Sequence, residues 1–246
     1  MEHGYLNYSD ATQLDKSIYR VFTIQRLLEI FEEHKMTLVR PSKWDDPFEN
    51  FLMKAMGKMD DGTKFSIEAR NHFYGQCWTK TVESDALWRI YAVEKNGVKV
   101  KTTPRKLLKA LLFQNPQPNN VNLTCFIGNV EYFRKDVLNG FFSRLPSLLT
   151  DTTGQGQAKT LLLKRSQFKH ENEVRLIYNS RGNVDSDIYK FAIDPFDLFD
   201  NIVFDPRMDA LMYKIFKEHF VKLGYKKTII KSKLYQEPQH NFKFDI

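Results

Sequence analysis

The run IQRLLEIFEEHK carries apolar residues at helical spacing and predicts a helix over 24–35. TLVRPS (37–42) predicts a short strand broken by Pro41, and SKWDDPFEN (42–50), polar, aromatic and interrupted by proline, predicts a loop. FYGQCWTKT (73–81) has the β-branched and aromatic content of a strand. Ser84 suits the N-cap of a helix over roughly 85–95, with Asn96-Gly97 closing it. GVKVKT then alternates as a strand, and Pro104 fits the first turn of a helix in PRKLLKALLF.

In the second half, QNPQPNN (114–120) predicts a loop and NLTCFIGNVEYF (122–133) a strand. A helical region follows. TDTTGQGQ (150–157) reads as a flexible loop, and AKTLLLKRSQ continues as helix. EVRLIYNS, DIYKFAID and NIVFDP predict strands, with turns at Arg181-Gly182 and Asp194-Pro195. A helix over 207–223 and a final strand in KTIIKSKLY end the chain's pattern. Strands and helices interleave irregularly, which predicts α+β: mixed and antiparallel sheets with flanking helices, in a single domain over 1–246.

Composition narrows the class. The 246 residues are 42% hydrophobic, with 20 phenylalanines, enough for a sizeable core. No apolar run reaches the roughly 18 residues of a membrane span, and no apolar leader opens the chain, so a cytoplasmic protein with no membrane partner is expected. Cys77 and Cys125 make neither a disulfide framework nor a metal spacing, and no metal is expected. The net charge of +7 favours an anionic partner such as RNA, DNA or a nucleotide.

Dinucleotide-fold glycine fingerprints, phosphate loops and the H-E-x-x-H and G-x-S-x-G motifs are all missing. Three segments carry chemistry instead. In SIYRVFT, Arg20 sits in an apolar strand, where a guanidinium needs an anion or simply faces water. In QCWTKT, the Thr79 hydroxyl either orients a neighbour or is a strand-favouring residue and nothing more. In ENEVRLI, Glu171 and Glu173 are two apart, which in a strand puts them on one face, where their like charges repel; at a solvated strand end Arg175, two residues on, would simply neutralise them. Paired carboxylates suit a sugar: one stabilises an oxocarbenium-like transition state, the other orients or deprotonates a nucleophile. The alternative is a solvated strand end.

Taken in order, IYR, CWT and ENEV resemble the arginine–serine–glutamate class of ADP-ribosyltransferases. The resemblance implies an ADP-ribosyltransferase-like fold, NAD as co-substrate, Arg20 on its diphosphate, Thr79 as support, Glu173 on the nicotinamide ribose and Glu171 toward the acceptor. Here threonine replaces the class's serine, Lys80 follows it, and no glycine follows Tyr19-Arg20, so Tyr19 is the alternative side chain on that strand. WDDPFEN, CWTKT, LWRIYAVEKNGVKV, ENEVRLIY and the tail IVFDPRMDALMYKIF with KSKLY also resemble a bacterial family known mainly as a domain of unknown function.

Two further groups then acquire roles. Trp88 and Tyr91, three apart on a helix, are candidates to stack on nicotinamide or adenine, or to pack in the core. Trp44, Asp46 and Phe48 lie on a loop that could cover a substrate cleft, or form turn chemistry only. The expectation is an NAD-dependent mono-ADP-ribosyltransferase of bacterial defence or toxin–antitoxin type. It would act on nucleic acid, RNA first, or on protein, and be restrained by an antitoxin. The competing reading is a basic nucleic-acid-binding or adaptor module without catalysis.

Overall fold

The computed structural model describes residues 4–46, 48–49, 56–58, 60–66, 71–117 and 123–238. Pro47 and Asn50 of the SKWDDPFEN loop, Asn122 and the 118–120 end of the QNPQPNN loop lie outside them.

The chain opens with strands β1 (Tyr5–Leu6) and β2 (Ile18–Thr23). Thr23 ends β2 and caps helix α1 (Ile24–Glu33) through its hydroxyl, which accepts from the Arg26 amide at 3.3 Å. Ile24, Leu27, Ile30 and Phe31 bury one face of α1. His34, at φ +53°, reverses the chain into β3 (Lys35–Val39). A hairpin of β4 (Met56–Lys58) and β5 (Lys64–Ser66) stands apart. Next come β6 (Phe73–Thr79), helix α2 (Asp85–Tyr91), β7 (Gly97–Thr102) and helix α3 (Pro104–Gln114), which starts on Pro104 as predicted.

The remaining strands are β8 (Cys125–Asn129), β9 (Glu131–Phe133), β10 (Leu163–Arg165), β11 (Glu173–Asn179), β12 (Ile188–Ala192), β13 (Asn201–Phe204) and β14 (Thr228–Lys231). Among the described residues the main sheet has ten strands, and its longest path runs β1-β8-β11-β6-β2-β7-β13-β14. It is mixed: β1–β8 and β13–β14 are parallel, the other pairs antiparallel. Strands from both ends of the chain share this sheet, so the fold is a single α+β domain with flanking helices. No helix of the described residues is long and apolar enough to cross a membrane.

The sheet forks at β6. One edge of β6 pairs fully with β11, from Glu173↔Thr79 to Asn179↔Phe73. The other edge meets two different strands, β3 at Val39↔Gly75 and β2 at Tyr19↔Thr79. Beyond these contacts β3 leads to β12, while β2 leads to β7, β13 and β14. Divergence leaves backbone groups on both sides of the fork, in β6 and in β3, without strand partners, and side chains take them. Arg20 Nη1 donates to the Cys77 carbonyl, and Gln76 Nε2 donates to the Thr37 carbonyl at 3.1 Å.

Three stretches differ from expectation. The second helix stops at Tyr91, because Arg207 Nη2, held by Asp205, takes the Trp88 and Ala92 carbonyls at 2.8 and 2.9 Å. The 122–133 stretch divides into β8 and β9, which pair in different sheets. The 158–167 stretch is not one helix: Gln155–Thr160 is helical, Leu163–Arg165 is β10 and Ser166–Glu171 a 3-10 turn. Its Leu-Leu-Leu run has no period of its own, so pattern alone does not separate the two. The loop before it is tied down by Asp151, which accepts from the Thr153 amide and hydroxyl and the Gly156 amide.

Candidate active site

Between the two branches of the sheet lies a cavity of about 500 Å³, within the range of small-molecule sites. Its floor is the stretch of β6 from Gly75 to Thr79; Tyr19 and Arg20 of β2 form one wall. Ile90 and Tyr91 of α2, Trp44 and Asp46 of the loop after β3, and Phe168 of the 3-10 turn surround the mouth.

Glu171 and Glu173 meet here, but not as strand neighbours. Glu171 ends the 3-10 turn, Asn172 takes the left-handed conformation at φ +47°, and Glu173 opens β11. The turn is fastened to β6: Thr79 Oγ1 donates to the Glu171 carbonyl at 2.6 Å, and the Lys80 amide donates to the Asn172 carbonyl at 3.0 Å. The Glu173 amide donates to the Tyr132 hydroxyl at 2.8 Å.

Both carboxylates belong to a buried ion cluster. Lys164 Nζ lies 2.6 Å from Glu171 Oε2, 3.2 Å from Glu173 Oε1 and 2.9 Å from Glu49 Oε1. Arg175 donates to Glu173 Oε2 from Nε (3.0 Å) and Nη2 (2.7 Å), to Glu49 Oε1 (2.8 Å) and to the Leu161 carbonyl (2.7 Å). Three carboxylates thus share two cations. Burial raises the Glu171 carboxyl, and a hydrogen bond to Glu173 and that residue's charge lift it further, to about 7, against the pull of Lys164. Burial opposes ionisation of Glu173 too, but Arg175, the Glu171 hydrogen bond and Lys164 outweigh it and hold the carboxyl at about 2. The pair is therefore split into an ionised and a proton-holding member, the arrangement that separates electrostatic from acid–base roles.

Arg20 is the cation across the cleft. One guanidinium nitrogen is used on Cys77, while Nε is buried without a partner among the described residues. Burial depresses its guanidinium and raises the Cys77 thiol to about 12. A guanidinium in the cavity wall suits an anionic oxygen of a bound ligand. Tyr19 lies beside it, over the ammonium of Lys99 at 5.4 Å.

The remaining predicted residues separate. Tyr91 is 45% exposed and lines the cleft, its phenol raised by burial and by Glu171. Trp88 does not reach the cleft: it is 1% exposed, packed with Ala92 and Val203, and its indole donates to Glu83 at 3.0 Å. Only core packing fits that position. Trp44 lines the cavity but is held by structure, seated against Gly75 and 4.6 Å above the Arg175 guanidinium. A Cβ on Gly75 would come within 2.7 Å of the Trp44 ring, so glycine is required there. Asp46 Oδ1 caps the Phe48 amide at 3.0 Å and accepts from Arg165 at 2.9 Å. Phe48 stacks under Arg165 at 4.3 Å and does not line the cleft.

A family model described as "Protein of unknown function (DUF2971)" matches residues 87–176. The match takes in the LWRIYAVEKNGVKV and ENEVRL segments; WDDPFEN, CWTKT and the tail fall outside it, so the likeness is narrower than the sequence suggested. No curated protein matches. Solved structures of DarT from Thermus sp. 2.9 are similar at 10% identity. The NAD+ complex covers 89% of this chain and 96% of its own, with a TM-score of 0.38. The carba-NAD+ complex gives the same coverage and 0.39, and the complex with ADP-ribosylated ssDNA covers 93% and 98%, with 0.40.

Sequence reasoning missed Lys164 and Glu49. Each carried a signal: Lys164 follows three leucines, where a solvated lysine is unexpected, and Glu49 follows an aromatic loop. The solvated strand end, with Arg175 neutralising the pair in water, is not what forms: Arg175 does bond Glu173, but both side chains are buried.

Proposed function

We propose that the protein is an NAD-dependent mono-ADP-ribosyltransferase. One observation carries the reading: Arg20, Thr79, Glu171 and Glu173, spread over more than half of the chain, line one cleft. Arg20, in the cavity wall, takes the diphosphate. Thr79 fixes the turn bearing Glu171. Glu173, kept ionised by Arg175 and Lys164, faces the positive charge that develops on the ribose as its bond to nicotinamide breaks. Nicotinamide departs with the bonding electron pair, the acceptor's nucleophilic atom bonds to the same ribose carbon, and Glu171 in its ionised form takes the acceptor's proton. Tyr91 at the mouth offers a ring face to a planar group.

The +7 charge favours a nucleic-acid acceptor, with RNA, DNA and protein each to be tried. A modifier of this kind, placed in a defence or toxin–antitoxin setting, needs a restraining partner. Incubation with NAD labelled in its adenylate part, with RNA, DNA and cell protein in separate tubes, tests the reading. Label should move to one acceptor class with wild type and not with Glu173→Gln. Neither label transfer nor nicotinamide release in any tube removes it and leaves a non-catalytic binding module.

A further inference from the structure

Glu49 has no place in the proposed chemistry, yet it is 5% exposed and makes two ion pairs inside the catalytic cluster. Its position is built. The Glu49 amide donates to the Asp46 carbonyl at 3.0 Å, Asp46 is held by Arg165 at 2.9 Å, and Trp44 is wedged between Gly75 and Arg175. The loop after β3 therefore delivers a third carboxylate to Lys164 and Arg175, which already serve Glu171 and Glu173. With every group ionised, the cluster carries one negative charge too many.

We propose that Glu49 is a positioning residue that acts through Lys164: by supplying the surplus carboxylate, it decides whether Glu171 holds a proton or is free to take one. The inference rests on the transferase reading for its kinetic consequence only. The groups around Glu171 come from several elements: Lys164 from β10, Glu173 and Arg175 from β11, Glu49 from the loop, Tyr132 from β9 and Tyr91 from α2. Of these, Lys164 favours the ionised form, while Arg175 bonds Glu173 and Glu49 and not Glu171. Glu49 competes with Glu171 for Lys164, since its Oε1 takes the same ammonium. It also raises the basicity of Glu171, so the ionised fraction is traded for a stronger base.

Removing the charge of Glu49 without its volume reverses the bias. In Glu49→Gln the cluster is neutral with Glu171 ionised, so Glu171 should titrate about one pH unit or more lower. Glu49→Asp keeps the charge and should keep the wild-type titration. Titration of 13C-labelled glutamate carboxyls by NMR follows this without any catalysis, the Glu171 signal being the one lost in Glu171→Gln. The acidic limb of the transfer rate should move with it. A Glu171 titration unchanged in Glu49→Gln, or moved equally by Glu49→Asp, overturns the inference. If no variant transfers ADP-ribose at any pH, the transferase reading fails, and the carboxyl titration still decides the role of Glu49.

Discussion

The hydroxyl of Thr79 is bound to the backbone carbonyl of Glu171 at 2.6 Å, and it also accepts from the Thr81 amide at 3.0 Å. One side chain on the floor strand thus fixes the turn that carries the candidate base. Thr79→Ala should cost about 1 kcal/mol in urea unfolding and lower transfer far more than that loss explains, because Glu171 is no longer held. Thr79→Ser, which keeps the hydroxyl, should recover most of the rate. Equal losses in both variants would mean that the methyl, not the hydrogen bond, matters.

Lys164 holds three carboxylates at once. Lys164→Met leaves Glu49, Glu171 and Glu173 facing Arg175 alone, and should destabilise the fold by about 3–5 kcal/mol at neutral pH. The deficit should shrink under mildly acidic conditions, as the surplus carboxylates take up protons. Denaturant midpoints across that range would show it.

Glu171 is predicted to favour folding in the opposite sense to most carboxylates. Its pKa is raised in the folded state to about 7, so the wild type loses stability as pH rises from the ordinary carboxylate range through that value. Glu171→Gln removes the penalty. Its melting temperature should match wild type at pH 4 and exceed it at pH 8, while transfer falls by about 100-fold or more. Glu173, with its lowered pKa, contributes stability that is present above the ordinary carboxylate pKa and lost as pH falls toward about 2.

Trp88 and Tyr91 are three residues apart and should behave differently. Trp88→Ala empties a core position and should cost about 3–5 kcal/mol. Trp88→Phe should leave the KM for NAD unchanged in the folded fraction. Tyr91→Ala should raise that KM with little change in stability, since the ring is half exposed.

The helices α1 and α3 were legible from their period, and the strands β7 and β11 from their β-branched and aromatic content, although β7, which alternates in sequence, is buried at nearly every position. Arg20, Thr79, Glu171 and Glu173 line one cavity, a convergence that only the resemblance suggested and that spacing did not encode. What failed has physical causes. The apolar run around Leu162 fits helix and strand alike, and only β9 beside it decides for strand. Trp88 and Tyr91 point apart because Val203 and Ala92 bury the first, a packing that spacing does not encode. Glu49 reaches the cluster from 122 residues before Glu171 in the chain, and the fork at β6 that opens the cleft arises from two strands competing for one edge.

Calorimetric titration of NAD into Glu173→Gln, with nicotinamide release by wild type followed in parallel, tests the central claim most directly. One NAD should bind per folded chain, binding should be lost in Arg20→Ala, and only wild type should release nicotinamide. No binding to either protein, or release undiminished in Glu173→Gln, would contradict the account.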